Sequence, residues 1–581
     1  MKVQLLYPRR EWDDRGAYYD TESIMKDLGL SLLFQVSSRS QEPKKGTVQR
    51  ADEADRHLGE MLKKVMMIPL RTKEEIYYRQ EILRDCMENK EFIGSLYEIS
   101  RDMTFRWEAL GKHQLDKPGS RDKSANLLSR IEILHLFINT LSRIKELCRR
   151  YDTGVAAAAN RRAGDSEGVA DSDGGAGAGE KAAGNRREGD GGKTAGYLSS
   201  RGLVDFCRRL EDDFGDEQEE KIRGVLSDII FYCDGQEEYS LSGSGRKKEN
   251  ISRMVLDCRV AEGMKLGVIS LEEVSTQERK LRKRKGEVTL REKMMTAFSK
   301  EPMLVLKDVE LLEDLKQLNE QVTAHVMDSF RPMMDELRGF FEALYVQTAF
   351  YQACCNLFTR CEHSRIPLCF PDVGSREQLH FQGLMEFCMA VYRGQVPVGN
   401  DCDADGKRLL VVTGANQGGK STFLRSIGIA QVMLQCGMPV CAKEFVSGIF
   451  PCFFTHFTRR EDSGMNSGRL DEELGRIDGI IRHLGEGSMV LLNESFATTT
   501  EEEGSAIADD VIRAMVEAGV KVLTVTHLLA FAGKMYRRQL QETAFLTAQR
   551  REDGTRTFKM IPGEPELTSF GLDLYEELIG E

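Results

Sequence analysis

The stretch Leu409-Leu-Val-Val-Thr-Gly-Ala-Asn-Gln-Gly-Gly-Lys-Ser421 decides the predicted fold of this chain. The apolar run at 409–412 predicts a buried strand, and the apolar spacing after position 421 predicts a helix. Between them, Gly414 and Gly419-Lys420-Ser421 have the spacing of a loop that wraps phosphate groups. Glycines let backbone N–H groups converge on phosphates, and the helix that follows adds the positive end of its dipole. We therefore predict a site for a nucleoside triphosphate.

The expected ligands are ATP and Mg²⁺. Lys420 supplies a positive charge to the outer phosphates, and the hydroxyl of Ser421 can ligate the cation. A glycine-rich turn that merely joins a strand to a helix is the alternative interpretation. We assign the nucleotide contacts to nine consecutive residues: Gly414, Ala415, Asn416, Gln417, Gly418, Gly419, Lys420, Ser421 and Thr422.

Composition limits the class of protein. A chain of 581 residues exceeds what one hydrophobic core supports, so several domains are expected. The net charge of -12 argues against general electrostatic attraction to nucleic acid, so any such binding needs a local basic patch. The sequence has no apolar run of membrane-spanning length and no signal peptide, and its 14 cysteines are scattered. We therefore expect a cytoplasmic protein that contacts no membrane.

The first two thirds of the chain are mainly helical in pattern. Steps of three and four between apolar residues over 127–148 and 311–344 predict amphipathic helices. Pro332 lies in the second of these segments and should kink or break the helix there. Residues 151–196 are Gly, Ala, Asp and Arg with almost no large apolar side chains, which predicts a disordered insertion.

One dense basic run follows that insertion. As the best local candidate for phosphate contacts, it predicts a nucleic-acid interface, whereas a solvated helix face is the ordinary alternative. The candidate residues are Arg279, Lys280, Arg282, Lys283, Arg284 and Lys285.

Two further apolar runs end in polar residues that suit phosphate chemistry. The run at 489–492 leads to Asn493 and Glu494, where an ATPase of this kind places a Mg²⁺ ligand and a catalytic carboxylate. Glu494 can act as general base on the attacking water. Asn493 stands where Asp is usual, so one negative charge near the cation is missing. The run at 520–526 delivers His527 to the same sheet edge as a candidate γ-phosphate sensor, although a lone His is more often structural.

The order of these motifs is similar to that of ABC-type ATPases, and their detail resembles the MutS family of DNA mismatch-repair proteins. The resemblance rests on Gly414 to Arg425, Gly437-Met-Pro-Val-Cys-Ala442, Phe454 through Ser467, Thr498-Thr-Thr and Ser569-Phe-Gly571. It is specific over about 398–580 and only a helical pattern over about 51–361. It implies a homodimer with composite ATP sites, in which Ser467 of one subunit reaches the nucleotide of the other, and a DNA clamp set by the nucleotide.

Three departures from the family limit what the resemblance implies. Residues 1–50 offer no mismatch-reading domain, and no nuclease domain follows the ATPase motifs. Asn493-Glu-Ser-Phe-Ala replaces the family's Asp-Glu-Leu-Gly-Arg. The expected protein is therefore a divergent MutS-type ATPase without the mismatch reader.

The predicted fold is an α/β ABC-type P-loop ATPase domain over 367–581, preceded by a mainly α-helical core and lever region over 51–366. Residues 1–50 form a short N-terminal segment, and 240–295 are the candidate clamp-like, DNA-contacting part. The predicted function is ATP-dependent binding of double-stranded or branched DNA by a homodimer in repair or recombination, with other repair proteins as further candidate partners. Two alternatives stay open: an ATP-switched factor that binds ribosomes or RNA, and a structural dimer with a weak ATPase.

Overall fold

A computed structural model gives the architecture of the chain. The chain divides into two compact units. The first comprises Met1–Lys2, Glu98–Arg150 and Phe206–Tyr345; the second comprises Val3–Tyr97, Tyr151–Asp205 and Val346–Glu581. The structure describes residues 2–9, 16–37, 48–114, 133–151, 197–227, 230–233, 254–257, 259–260, 264–265, 269–270, 309–393, 396–458, 469–551 and 553–565.

Helices make up most of the N-terminal part of the described chain and alternate with strands in the C-terminal part. They are α1 (Thr21–Leu28), α2 (Ser31–Ser37), α3 (Val48–Met66), α4 (Lys73–Glu88), α5 (Lys90–Gln114), α6 (133–151), α7 (Arg201–Asp213), α8 (Asp216–Ser227), α9 (Val309–His363), α10 (Phe387–Arg393), α11 (Lys420–Leu434), α12 (Arg469–Ile481), α13 (Glu501–Glu517) and α14 (Leu529–Arg538).

The strands form four sheets. Strands β1 (Ile230–Cys233), β2 (Met254–Asp257) and β5 (Ile269–Ser270) form one, and β3 (Arg259–Val260) pairs with β4 (Met264–Lys265). A four-stranded sheet has the order β6-β10-β7-β8, and a six-stranded sheet has the order β11-β12-β13-β9-β14-β15. Their bounds are β6 (Asp372–Val373), β7 (Leu379–Leu384), β8 (Asn400–Asp403), β9 (Leu409–Thr413), β10 (Glu444–Ser447), β11 (Phe453–Phe457), β12 (Met489–Asn493), β13 (Lys521–Val525), β14 (Thr543–Arg550) and β15 (Arg556–Pro562).

The six-stranded sheet is parallel from β11 to β14, and only the edge strand β15 runs antiparallel to its neighbour. Every residue of β9, β11, β12 and β13 is buried. Parallel sheets are covered by helices on both faces, so their strands are apolar runs without polar alternation. This explains why the predicted strands at 409–412, 489–492 and 520–526 could be recognised from continuous apolar runs.

Helices cover both faces of this sheet. On one face, a core of buried apolar residues includes Ile477 and Ile480 of α12, Ile512 of α13 and Phe531 of α14. On the other face lies α11, packed so closely that a Cβ at Gly428 would come within 2.7 Å of Leu491 Cδ1. The same Cβ would come within 2.6 Å of Leu28 Cδ2, so α1 covers the outer side of α11. The N-terminal helix is thereby part of the unit that contains the sheet.

The first unit has a core of aromatic residues. The Phe137 ring stacks on those of Phe341 and Trp107, in both cases with centroids 5.4 Å apart. Beside this core, the buried ammonium of Lys145 forms ion pairs with Asp216 at 2.7 Å and Glu219 at 2.6 Å. Pairing of this kind offsets the cost of burying a charge.

Helix α9 tests part of the prediction made for Pro332. It runs for 55 residues with Pro332 inside it, so the helix does not break there, and the predicted kink stays a prediction. Pro332 lies on an exposed part of the helix. A proline removes one hydrogen bond and adds a local clash, and a long helix that is packed elsewhere can accommodate both.

The insertion predicted over 151–196 lies outside the described residues except for Tyr151, as does most of the candidate clamp at 240–295. The predicted domain boundaries stay predictions. Within the described ranges, none of the helices combines the length and the apolarity that crossing a membrane requires.

Candidate nucleotide site

The predicted strand, glycine-rich loop and helix are present as β9, residues 414–419 and α11. Gly414 has φ +111° and Gly419 has φ +91°, a region that residues with a side chain rarely adopt. A Cβ at Gly414 would also lie 2.8 Å from the backbone nitrogen of Ala548 on the neighbouring strand β14. Both glycines are therefore required by the backbone path of the loop.

Lys420 begins helix α11 and is 4% exposed. Its ammonium donates hydrogen bonds to the carbonyl oxygens of Gly414 at 2.8 Å and Ala415 at 2.9 Å. The positive charge is consequently held against the glycine-rich loop, beside the backbone N–H groups at the start of the helix.

A cavity of about 360 Å³ opens at this loop. Residues 416–422 line one side of it, and Glu494 contributes a carboxylate. The other lining residues include five apolar ones, which we call the apolar wall: Leu384, Met389, Pro397, Val398 and Phe558.

The apolar wall was not anticipated from the sequence. Phe558 is 46% exposed and has φ +59°. The side chain of Asn400 holds it in place, since its amide donates to the Phe558 carbonyl at 3.2 Å and its oxygen accepts from the Met560 N–H at 2.7 Å. No sequence pattern links positions 400 and 558, and the contact depends on the pairing of distant strands.

Glu494 lines the cavity beside the loop because β12, β13 and β9 are neighbours in the sheet, whereas Asn493, the last residue of β12, is not among the lining residues. Glu494 follows the end of β12, and its N–H donates to the carbonyl of Val525 at 2.8 Å. Asn493 is 8% exposed, and its side-chain oxygen is a buried acceptor with no hydrogen-bond partner among the described residues. A buried oxygen of this kind fits a water or ion ligand, because an unsatisfied buried acceptor is costly.

His527 lies two residues beyond the end of β13, at the same carboxyl edge of the sheet as Glu494. Its side chain is exposed, and it does not line the cavity. The sheet therefore brings His527 to the predicted edge, whereas the cavity itself contains Glu494 and the glycine-rich loop.

Several predicted site residues cannot be placed. Ser467 lies outside the described residues, which resume at Arg469 with helix α12. The motif Ser569-Phe-Gly571 and the basic run Arg279–Lys285 also lie outside them.

Two models of known families match the chain. Residues 410–578 match MutS domain V, and residues 71–162 match the MutS2 N-terminal domain. Over these two segments the chain is similar to the MutS family. The domain V match contains the glycine-rich loop, Glu494 and His527, whereas the MutS2 match covers α4, α5 and α6 in the helical part.

Curated MutS-family relatives are similar over parts of the chain. The DNA mismatch repair protein MutS of Thermotoga sp. (strain RQ2) is 30% identical over 179 residues, which are 30% of this chain and 22% of that protein. Endonuclease MutS2 of Gemmatimonas aurantiaca is 24% identical over 266 residues, or 45% of this chain and 31% of that protein. Endonuclease MutS2 of Lacticaseibacillus casei is 33% identical over 132 residues, or 22% and 17% of the two chains.

The matched segments thus span less than a third of each of these MutS-family relatives. Both models leave residues 1–70 unmatched, although α1 packs on α11 in the same unit as domain V. The domain V match also begins after Pro397, Val398 and Asn400, which contribute to one wall of the cavity.

Proposed function

We propose that this chain is an ATP-dependent DNA-binding protein of MutS type that acts in DNA repair or recombination. One observation carries the ATPase part of the proposal. A single cavity brings the loop residues Lys420 and Ser421 together with the carboxylate of Glu494. Phosphate binding and activation of a water require these two sets of groups at one place.

The proposed binding mode follows from the walls of the cavity. The phosphates bind to the N–H groups of residues 414–422, where Lys420 exchanges its carbonyl partners for phosphate oxygens. The nucleobase lies against the apolar wall at Val398 and Phe558. Glu494 is the general base for the attacking water, and His527 senses the γ-phosphate from the sheet edge.

The cation would be Mg²⁺, and the Ser421 hydroxyl and the Asn493 side-chain oxygen would hold it. The unpartnered, buried oxygen of Asn493 supports this assignment. When bound, the cation neutralises charge on the phosphates. Because Asn493 is neutral, this site attracts the cation less strongly than one with a carboxylate would.

The wider mechanism is a cytoplasmic homodimer with two composite ATP sites. Ser467 of one subunit contacts the nucleotide of the other, and ATP binding and hydrolysis close and open a DNA clamp. Residues 240–295 form the DNA-contacting part, with Arg279, Lys280, Arg282, Lys283, Arg284 and Lys285 on the phosphates. Other repair proteins are further partners.

Asn493 supports a second candidate function, a dimer in which a weak ATPase only controls assembly. The two functions differ in how hydrolysis responds to nucleic acid. In the first, DNA stimulates ATP turnover; in the second, turnover stays constant.

Steady-state ATP hydrolysis tests these functions, measured alone and with single-stranded, duplex, mismatched and branched DNA and with duplex RNA. Stimulation by duplex or branched DNA supports the proposed function, and equal rates with mismatched and matched duplexes fit a protein without a mismatch reader. Stimulation by duplex RNA alone favours an RNA-binding factor, since the two duplexes present different grooves. Indifference to every nucleic acid favours the structural dimer.

A further inference from the structure

The loop after β12 has an unusual backbone at the residue proposed as general base. Glu494 has φ +55°, and Phe496, two residues later, has φ +66°. Left-handed conformations are unfavourable for a residue with a side chain. The surrounding structure must therefore hold this segment in place.

The side chain of Glu473 provides much of that hold. It is 6% exposed, and its carboxylate accepts a hydrogen bond from the Phe496 N–H at 2.5 Å and another from the Thr498 hydroxyl at 2.5 Å. Phe496 is itself 1% exposed, with its ring in the core under the sheet. Bonds from a buried carboxylate to N–H and O–H donors are among the stronger hydrogen bonds in proteins.

Residues of strand β11 and the residue after it also hold the Glu494 segment. The Thr458 hydroxyl donates to the Glu494 carbonyl at 2.8 Å, and Ser495 Oγ lies 2.7 Å from Nδ1 of the buried His456. These contacts come from β11 and the residue after it, which belong to the sheet. Glu473 is different because it belongs to helix α12.

Helix α12 begins at Arg469, two residues after Ser467. Glu473 lies one turn into the helix and reaches a backbone N–H only two residues from Glu494. A displacement of α12 would therefore move or release the segment that carries the general base.

We propose that Glu473 is a positioning residue, which holds the Glu494 segment in its left-handed conformation and makes the geometry of Glu494 depend on the position of α12. The inference rests on the proposed function, because Glu494 must be the general base.

The first measurement is hydrogen–deuterium exchange of the segment 489–500 in the full chain, which does not depend on hydrolysis. In Glu473→Ala the amide of Phe496 should exchange at least about tenfold faster, since its acceptor is removed. Asp471→Ala, which removes an exposed carboxylate of the same helix, is the matched control and should leave the exchange unchanged. Unaltered exchange in Glu473→Ala would overturn the proposal.

The second measurement separates binding from turnover. Glu473→Ala should lower kcat about 10- to 100-fold through misplacement of Glu494, with the Kd for ATP changed by less than about threefold. Glu473→Gln should retain most of the activity, because its amide oxygen still accepts from Phe496 N–H and the Thr498 hydroxyl can turn to accept from the amide. In the Glu494→Gln background, Glu473→Ala should have no further effect on residual hydrolysis.

An equal loss of ATP binding and turnover in Glu473→Ala would contradict a positioning role, as would additive losses in the double variant. If Glu473→Ala does not fold, Thr498→Val can replace it, because it removes one of the two hydrogen bonds. This variant should show a smaller fall in kcat, again with little change in the Kd for ATP. If the unmodified chain hydrolyses no ATP while exchange at Phe496 responds as expected, the proposed function fails and the structural hold of Glu473 stands.

Discussion

The guanidinium of Arg79 donates a hydrogen bond to the carbonyl oxygen of Cys436 at 3.1 Å. Cys436 lies two residues beyond the end of α11, the helix that begins with Lys420. Arg79 is fully buried in α4, and it also donates to the Leu6 carbonyl at 3.0 Å. The far end of the helix that follows the glycine-rich loop is thus held by helix α4 and the N-terminal segment.

Replacing Arg79 should destabilise the second unit strongly. Arg79→Ala leaves the carbonyls of Leu6 and Cys436 without this donor, and it removes packing against the ring of Phe350, whose centroid lies 5.5 Å from the guanidinium carbon. Since each unsatisfied buried acceptor costs roughly 1–3 kcal/mol, the free energy of unfolding should fall by about 3–5 kcal/mol. Urea denaturation followed by circular dichroism measures this. Arg84→Ala, an exposed arginine of the same helix, should change it by less than about 1 kcal/mol.

Replacing Lys420 and replacing Glu494 should affect different steps, ATP binding and ATP hydrolysis respectively. Lys420→Ala should weaken ATP binding by about 100-fold or more, close to 2.7 kcal/mol, because the positive charge at the loop is lost. Glu494→Gln should keep ATP binding and lower hydrolysis by about 10²- to 10⁴-fold, because an amide cannot accept the proton. Fluorescent-nucleotide titration and ADP release measure the two effects. Normal hydrolysis in Glu494→Gln would rule out Glu494 as the general base.

Because Asn493 is neutral, Mg²⁺ should bind weakly, and a carboxylate at this position should strengthen Mg²⁺ binding. Asn493→Asp places a negative charge at the buried oxygen proposed as a cation ligand, so the Mg²⁺ concentration for half-maximal ATP hydrolysis should fall by about tenfold. A Mg²⁺ titration at saturating ATP measures this, with Gln541→Glu, an exposed amide-to-carboxylate change away from the cavity, as a charge-matched control. A titration that Asn493→Asp leaves unchanged would remove Asn493 from the cation site.

Lys521 should make stability depend on pH in an alkaline window. Burial lowers the pKa of its ammonium from 10.5 to about 8, an effect that nearby Asp405, Cys402 and Glu377 oppose. Below pH 8 the folded protein must bury a charge, and this cost disappears as pH rises through the window from about 8 to 10.5. The contribution of Lys521 to the free energy of unfolding therefore rises with pH, by up to roughly 3 kcal/mol.

Lys521→Met isolates this contribution, because the variant keeps the side-chain volume and cannot be charged. At pH 7 the variant should be more stable than the unmodified chain. The gain in the free energy of unfolding is reduced by the loss of one hydrogen bond to the Glu377 carbonyl. Urea denaturation at pH 7 and pH 9.5 should show the stability difference shrinking. A difference that stays constant between the two pH values would mean that Lys521 does not titrate in this window.

Much of the central sheet could be predicted from the sequence because its strands are continuous apolar runs and its glycine-rich loop has a fixed spacing. The apolar runs at 409–412 and 489–492 are the strands β9 and β12. The polar ends of the strands, at Glu494 and His527, followed from the rule that neighbouring parallel strands end at one edge. These features depend on residues close together in the chain.

Pro332 shows what local reasoning leaves open. A proline in a helix predicts either a kink or a break, and α9 continues past Pro332 without a break. The local cost of one lost hydrogen bond is small against the remaining hydrogen bonds and packing of a 55-residue helix, and only the assembled structure decides that balance.

Periodicity and spacing within short segments were enough to predict the glycine-rich loop, the strands beside it and the MutS-like order of motifs. Which distant side chains complete the unit depends instead on packing in the folded chain. The Thr455 hydroxyl donates to the buried carboxylate of Asp27 at 2.9 Å, across 428 positions of the chain. Long-range packing of the same kind brings Glu473 into hydrogen-bonding contact with Phe496 and places Phe558 in the wall of the cavity. Such contacts carry no local pattern, since they are selected by the burial and pairing of polar groups in the folded chain.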